Sequence, residues 1–153
     1  MLALTTQDRE TAERLGIELA YVESRFSARL LSELDCVNDL VTHIERYRGK
    51  MLRPTLVLAS GLAASDDGET LTEAHRVIAT VVEIVHMATL VHDDVLDEAD
   101  HRRRGASVDR PDGNEAAVML GDYLISHAYH LSSSLDSQSI SRTIAETTNT
   151  VCE

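Results

Sequence analysis

Apolar residues recur at steps of three and four along most of this chain, which is the spacing of one face of an α-helix. A first stripe runs from position 15 to 30, and a second runs from 37 to 44 on a helix that is predicted to end near Gly49. Their members are Leu15, Leu19, Val22, Phe26 and Leu30, then Val37, Leu40, Val41 and Ile44. The pattern predicts two amphipathic helices in the first third of the chain.

Proline, glycine and helix-capping residues predict where the remaining helices and loops begin and end. Pro54 precedes TLVLASGLAA, so a helix opening at Pro54 is predicted, apolar and buried on most of its sides. The segment TLTE at 70–73 has the spacing of a capping box, and it opens a long helix that runs to about Asp97. The rest of the chain is predicted to form one charged loop and two helices, at 99–114, 115–131 and 137–152.

The pattern contains no strand-like alternation, no internal repeat and no long linker, so 1–153 is predicted to be one all-α domain. Aromatic residues make up only 3% of the chain, with no Trp, so its core must consist of Leu, Ile, Val and Ala. No 18 apolar residues follow one another, and no transmembrane segment is predicted.

Charge and cysteine content narrow the function classes. The net charge of −12 repels a phosphate backbone, which argues against a nucleic-acid partner. Cys36 and Cys152 form no CxxC motif, and the first residues lack the basic and long apolar regions of a signal peptide. A cytoplasmic location is expected.

Carboxylates are concentrated at the end of the long helix, in LVHDDVLDEAD at 90–100. Asp93 and Asp97 lie one turn apart on one face, with Asp94 beside them. Three carboxylates at a helix C-terminus cost roughly 1 kcal/mol or more unless a cation neutralises them, because they repel one another and oppose the dipole. Such hard oxygen ligands suit Mg²⁺. A solvated acidic helix end is the alternative interpretation.

Two basic segments flank this cluster. Lys50 and Arg53 precede the helix that Pro54 opens, where free amides and the positive end of the dipole favour an anion. Three arginines follow the acidic motif at 102–104. Cations beside carboxylates indicate a polyanion bridged by metal, although each basic segment alone is also typical of surface salt bridges.

The segments GKMLRP (49–54), VEIVHMATLVHDDVLDEADHRRRG (82–105) and GNEAAVMLGDYL (113–124) together resemble the N-terminal half of the trans-isoprenyl diphosphate synthases, the polyprenyl synthetase family. The resemblance implies a helical bundle of the isoprenoid synthase type, of which this chain holds about half. It also implies Mg²⁺-dependent chain elongation, in which an allylic diphosphate condenses with isopentenyl diphosphate.

The resemblance also implies roles for single residues. Asp93, Asp94 and Asp97 would bind the Mg²⁺ that clamps the allylic diphosphate. The diphosphate of isopentenyl diphosphate would be held by Lys50, Arg53 and His86. Arg102 would contact the allylic diphosphate and Arg103 the homoallylic one, but Arg104 stands where the family usually has Gly, which leaves the register of the arginines open.

Product length is implied by the residues one turn before Asp93. Ala88 and Thr89 are small, whereas bulky aromatic residues fill this level in relatives that stop early. Products longer than fifteen carbons are therefore expected, with Met87 able to narrow the tunnel from the side. Alternatively, Ala88 and Thr89 serve only close helix packing.

A remote alternative is a metal phosphohydrolase of the HD type, built on His92-Asp93 with His75, His86 and His101. This alternative leaves GKMLRP unexplained. His127 and His130 are interpreted as packing or surface residues.

The family's second aspartate-rich motif is missing after Asp122. Three hypotheses follow: a prenyltransferase portion that is inactive alone, a half-enzyme subunit completed by a partner chain or a second copy, and a non-catalytic helical interaction module. Dimerisation is expected through 115–152, the region by which relatives pair.

Overall fold

The computed structural model describes residues 6–44, 49–65, 71–96 and 113–152, which form six α-helices and no strand. The helices are α1 Thr6–Leu30, α2 Asp35–Ile44, α3 Leu52–Ala64, α4 Glu73–Leu96, α5 Gly113–Ser133 and α6 Gln138–Cys152. The all-α prediction is confirmed. The last two helices lie within two residues of their predicted bounds, and α4 ends one residue before Asp97. Since α5 already begins at Gly113, the predicted loop ends too late; the rest of it lies outside the described residues.

Helix α4 is the centre of the bundle. One of its faces packs against α5, where Ile84, Met87 and Leu124 are almost completely buried. Its opposite side contributes Ala79 to a smaller cluster that joins α1 and α3. As expected from the composition, the core is aliphatic, and Phe26 is its single Phe.

By length and composition alone, the segment Glu73–Asp93 of α4 is apolar enough to cross a membrane. Half of its most apolar window is buried inside the bundle, however. This burial is what the central helix of a folded bundle requires, because such a helix contacts other helices on several sides.

Helix α3 differs from its prediction in two ways. It begins at Leu52, so Pro54 is its third residue, still within the first turn, where a missing N–H breaks no helical bond. The prediction that this helix is buried on most of its sides is wrong for the described residues, because only one stripe of α3, which includes Leu58 and Leu62, is buried. Leu52 and Leu56 remain 64% and 59% exposed, on a face turned away from α1 and α4.

The capping box of α4 uses different residues from those predicted. Thr72 donates its N–H to Nδ1 of His75 over 3.0 Å, and its carbonyl accepts the N–H of His75 over 3.1 Å. His75 thus takes the place expected for Glu73, which is instead the first residue of α4 and pairs with Arg25. Thr70 lies outside the described residues. The His75 ring also lies against Gly61, where a Cβ would come within 2.5 Å of its Cδ2 atom.

A polar clasp joins α1 to the start of α4. Arg76 donates two hydrogen bonds to Glu18, from Nε over 2.5 Å and from Nη2 over 2.7 Å. The guanidinium groups of Arg25 and Arg76 lie 5.2 and 5.4 Å from the ring centre of Tyr21. The hydrogen bond from Arg76 holds the pKa of Glu18 below its ordinary value.

Replacing Glu18 with Gln should lower the free energy of unfolding by about 1 kcal/mol at pH 7, because a partly exposed charged hydrogen bond is lost. A lowered pKa stabilises the fold above the pKa of an unfolded glutamate, about 4.3, and this stability is lost as the pH falls through the folded value. Urea unfolding at several pH values should therefore show the difference from wild type closing in acid. Glu10→Gln, on the exposed part of α1, is the control and should leave the free energy of unfolding unchanged. An equal loss in this variant would show that the effect does not come from the hydrogen bonds between Glu18 and Arg76.

Candidate functional site

One stripe of α4 runs from an open cavity on the surface of the bundle to the acidic end of the helix. His86, Thr89 and Asp93 follow one another at steps of three and four, so they share a face of the helix. Ile78, Val82 and Val85 continue this face toward the start of the helix. From Ile78 to Thr89 the stripe lines a cavity of about 510 Å³, and Asp93 lies one turn beyond the lining residues.

Helix α6 forms the facing wall. His92 near the end of α4 lies beside Val118 near the start of α5, so these two helices are antiparallel. The four-residue connection 134–137 then turns the chain back, so α6 runs in the same direction as α4. Its contribution combines aliphatic and hydroxyl side chains: Ser139, Ile140, Thr143, Ile144, Thr147, Thr148 and Val151.

Three of the four hydroxyl groups of this wall are satisfied within the helix. Thr143, Thr147 and Thr148 each donate to the carbonyl four residues earlier, over 3.0, 2.8 and 2.9 Å. They therefore need no polar ligand, and the wall suits an apolar occupant despite its composition.

A strained turn precedes α3 and places Arg53 at this cavity. Met51, directly before α3, has φ 50° and ψ 39°, the one positive φ of a non-glycine residue in the part of the chain that the structure describes. Its carbonyl accepts the N–H of Thr55 over 3.0 Å and the Thr55 hydroxyl over 2.8 Å. Burial of the Met51 side chain, which is 2% exposed, offsets the strain of about 1–2 kcal/mol.

Lys50 and Arg53 flank this turn and are both exposed. Arg53 also lines the cavity together with His86, so α3 and α4 converge there. Burial lowers the pKa of His86, and the charge of Arg53 lowers it further, so the imidazole is neutral at pH 7. A bound anion would reverse the second effect.

The acidic and arginine segments are only partly described. Asp93 is exposed in the last turn of α4, a turn without a basic residue. For Asp94 only the backbone is described, and Asp97, Arg102 and Arg103 lie outside the described residues. An exposed, hard carboxylate fits a hydrated divalent cation, although the described residues bring together no group of three metal-binding side chains.

The structure separates the two predicted chain-length residues. Thr89 lines the cavity, with its hydroxyl donating to the carbonyl of His86 over 2.8 Å. Ala88 is fully buried in the core between α4 and α5, as is Met87. Neighbouring positions on a helix point about 100° apart, so only Thr89 faces an occupant of the cavity.

The histidines of the HD-type alternative do not converge. His75 caps the start of α4 and His92 lies against α5, about 25 Å further along the helix axis. His86 lines the cavity, and His101 lies outside the described residues. Further along, the His127 ring packs against that of Tyr123 with ring centres 4.3 Å apart and planes tilted by 48°, while His130 is exposed, in line with packing and surface roles.

Sequence reasoning missed the lower part of the α4 stripe and the α6 wall. Counting back from Asp93 in helical steps would have found Val85, Val82 and Ile78. The helical spacing of Ile140, Ile144 and Val151 predicts an apolar face of α6, but not its place in this wall, because that depends on how α6 folds back beside α4.

The family model described as polyprenyl synthetase matches residues 35–153. The chain belongs to the polyprenyl synthetase family. The resemblance carried by its motifs is therefore confirmed, and with it the isoprenoid synthase type of bundle, present in part.

Named relatives agree with this assignment. The chain is 33% identical over 136 residues to the octaprenyl diphosphate synthase of Escherichia coli K12, covering 89% of this chain and 41% of the relative. It is 32% identical over 138 residues to component 2 of the heptaprenyl diphosphate synthase of Geobacillus stearothermophilus, covering 90% and 42%.

A solved structure shows the same fold. The geranylgeranyl pyrophosphate synthase of Corynebacterium glutamicum, in complex with calcium and isoprenyl diphosphate, superimposes with a TM-score of 0.76 at 34% identity. The match covers 95% of this chain and 43% of that one. This polyprenyl synthetase chain thus spans about two fifths of the length of the relatives it matches.

Replacing Arg53 with Gln should raise the pKa of His86, because one of its two depressing influences is removed while burial remains. The pKa should stay below the ordinary histidine value for the same reason. Titration of the imidazole protons by NMR measures both quantities. His127, whose pKa is lowered by burial, His130 and Arg29, is the internal control and should not move. An unchanged pKa of His86 would show that the charge of Arg53 does not act on this imidazole, and would contradict the placement of Arg53 at the cavity.

Proposed function

We propose that this chain forms the diphosphate-binding and tail-binding part of a polyprenyl diphosphate synthase, which transfers the prenyl group of an allylic diphosphate to isopentenyl diphosphate. The observation that carries the proposal is the convergence of Arg53 and His86 on a cavity whose walls are otherwise mainly aliphatic. A prenyl diphosphate has the matching form, with a charged head and a long apolar tail.

The basic residues are proposed to bind the diphosphate of isopentenyl diphosphate. Lys50 and Arg53 offer cationic donors beside the N-terminus of α3, where the amides of the first turn are free. His86 adds a neutral imidazole that can donate or accept a hydrogen bond, or gain a proton when an anion arrives.

The acidic end of α4 is proposed to hold Mg²⁺ through Asp93, Asp94 and Asp97. When bound, the ion would stabilise the negative charge that develops on a departing diphosphate. Arg102 and Arg103 are proposed to contact the allylic and homoallylic diphosphates, respectively. Cationic side chains in this role stabilise the leaving group more strongly in the transition state than in the ground state.

The aliphatic walls are proposed to exclude water from the reacting carbons. When the allylic C–O bond breaks, C1 of the prenyl group becomes electrophilic, and the double bond of isopentenyl diphosphate attacks it before a proton is lost. Water would quench the cation, and apolar walls such as those of Ile78, Val82 and Ile144 offer water no hydrogen-bonding partner.

Turnover is proposed to require more protein than these residues, because the relatives are more than twice as long. The Geobacillus relative is named as one component of its synthase, which supports association with another chain. A second copy is a further candidate, and the exposed Met119 and Val118 of α5 lie within the segment expected to pair. The cytoplasmic location stays a prediction.

The proposal is tested by calorimetric titration of inorganic diphosphate with and without Mg²⁺. Magnesium should tighten binding to the wild-type chain, and Asp93→Ala should abolish this gain because it removes a ligand of the ion. Asp39→Ala, an exposed carboxylate on α2, is the matched control and should retain it. Equal Mg²⁺ dependence in the Asp93 variant would contradict the site assignment.

A second test concerns the tail. Thr89→Phe should weaken binding of farnesyl diphosphate but not of inorganic diphosphate, because the new ring occupies the cavity and leaves the basic residues alone. Thr89→Val, which changes the hydroxyl and not the size, should bind both ligands like wild type.

Ala88→Phe should instead lower the unfolding free energy by about 1–3 kcal/mol or more, since it overpacks the core between α4 and α5. Thermal unfolding measures this change.

For the tail test itself, full affinity of Thr89→Phe for farnesyl diphosphate would show that the tail binds elsewhere.

A further inference from the structure

A close contact between α4 and α5 lies next to the acidic end of α4. The ring of His92, the residue before Asp93, lies directly on the backbone of α5 at Gly121. Its Nε2 atom is 3.4 Å from the carbonyl oxygen of Val118 and 3.6 Å from a carboxylate oxygen of Asp122. The His92 side chain is 29% exposed, whereas that of Asp122 is 71% exposed, so the ring is partly buried and the carboxylate beside it faces water.

The contact requires glycine at position 121. A Cβ atom there would overlap the Nε2 and Cδ2 atoms of His92 and would lie 2.8 Å from Cε1. These are ring atoms, and Gly121 lies inside α5 with a buried backbone. A side chain of any size would therefore move the ring, the end of α4 or both.

The position of this contact on α4 matters for Asp93. One residue along a helix corresponds to a rotation of about 100°. With His92 held against α5, Asp93 falls on the stripe of Thr89 and His86, which lines the cavity. A side chain at position 121 that displaced the end of α4 together with the ring would move Asp93 off that stripe.

We propose that His92 and Gly121 are positioning residues for the cation site of this chain: the bare backbone of Gly121 seats the His92 ring, and the seated ring directs Asp93 toward the cavity. The inference rests on the proposed function, because it assumes that Asp93 binds the divalent cation. Neither residue needs to touch the cation or the substrate.

The inference is tested on the full chain with Mn²⁺ as the probe, in the presence of inorganic diphosphate. The concentration of free Mn²⁺ is followed by electron paramagnetic resonance. Gly121→Ala and His92→Ala should each weaken Mn²⁺ binding by about 10-fold or more, the range found when the partners of metal ligands are removed.

The double variant decides whether the two residues act through one contact. Once His92 is Ala, a methyl group at position 121 meets no ring. The double variant should therefore bind Mn²⁺ no more weakly than His92→Ala alone. Losses that multiply would overturn the inference, because Gly121 would then act independently of the ring.

A second measurement separates positioning from general damage to the fold. Inorganic diphosphate without metal is expected to bind at Lys50, Arg53 and His86, so its affinity should be unchanged in both single variants. Gly16→Ala, an exposed glycine of α1 with no neighbouring atom within 4 Å of an added Cβ, should leave both affinities unchanged. Parallel loss of metal-free binding in the variants would overturn the inference.

Two results keep the inference distinct from the proposed function. If Asp93→Ala leaves Mn²⁺ affinity intact, the proposed function fails at this site. If Asp93→Ala abolishes Mn²⁺ binding while His92→Ala retains wild-type affinity, the positioning role alone is refuted. Should Gly121→Ala fail to fold, His92→Ala still decides the matter, because it removes atoms and introduces no clash.

Discussion

The packing of α4 against α5 is the constraint on which the described site depends. One face of α4 carries Ile84, Met87 and Ala88 into the aliphatic core, and another face presents Thr89, His86 and Asp93 to the cavity side. Since successive residues are separated by about 100°, the burial of the first set fixes the direction of the second. The hydrophobic effect that stabilises the bundle thus also orients His86 and Thr89.

Core packing also determines the position of the basic residues at the start of α3. Met51 adopts a left-handed backbone conformation that a side chain normally avoids, and its buried side chain in the cluster of Val22 and Leu58 retains it there. That turn brings Lys50 and Arg53 to the start of a helix whose first amides are free. Strain at a functional turn is tolerated where neighbouring packing determines the conformation.

Periodicity was enough to predict the helices, because each needs an apolar stripe of the right spacing. It also placed Asp93, His86 and Thr89 on one helix. Periodicity failed where a residue's role depends on contacts distant in sequence. Glu73 was predicted to complete the capping box of α4, but it pairs with Arg25 of α1, and His75 makes the capping hydrogen bond with Thr72. Ala88 and Thr89 are both small and adjacent in sequence, yet Ala88 is buried in the core and Thr89 lines the cavity.

The charge of the chain constrains how such a site can bind an anion. A net charge of −12 opposes the approach of a diphosphate, but at physiological ionic strength charges separated by more than about 8 Å are largely screened. Binding therefore depends on the charges adjacent to the cavity, where Arg53 is positive and His86 is neutral. Holding His86 neutral leaves room for it to gain a proton when an anion binds, so part of the local positive charge would arise only with the ligand in place. An acidic chain can then bind a diphosphate with few permanent cations, provided that these lie within one screening length of it.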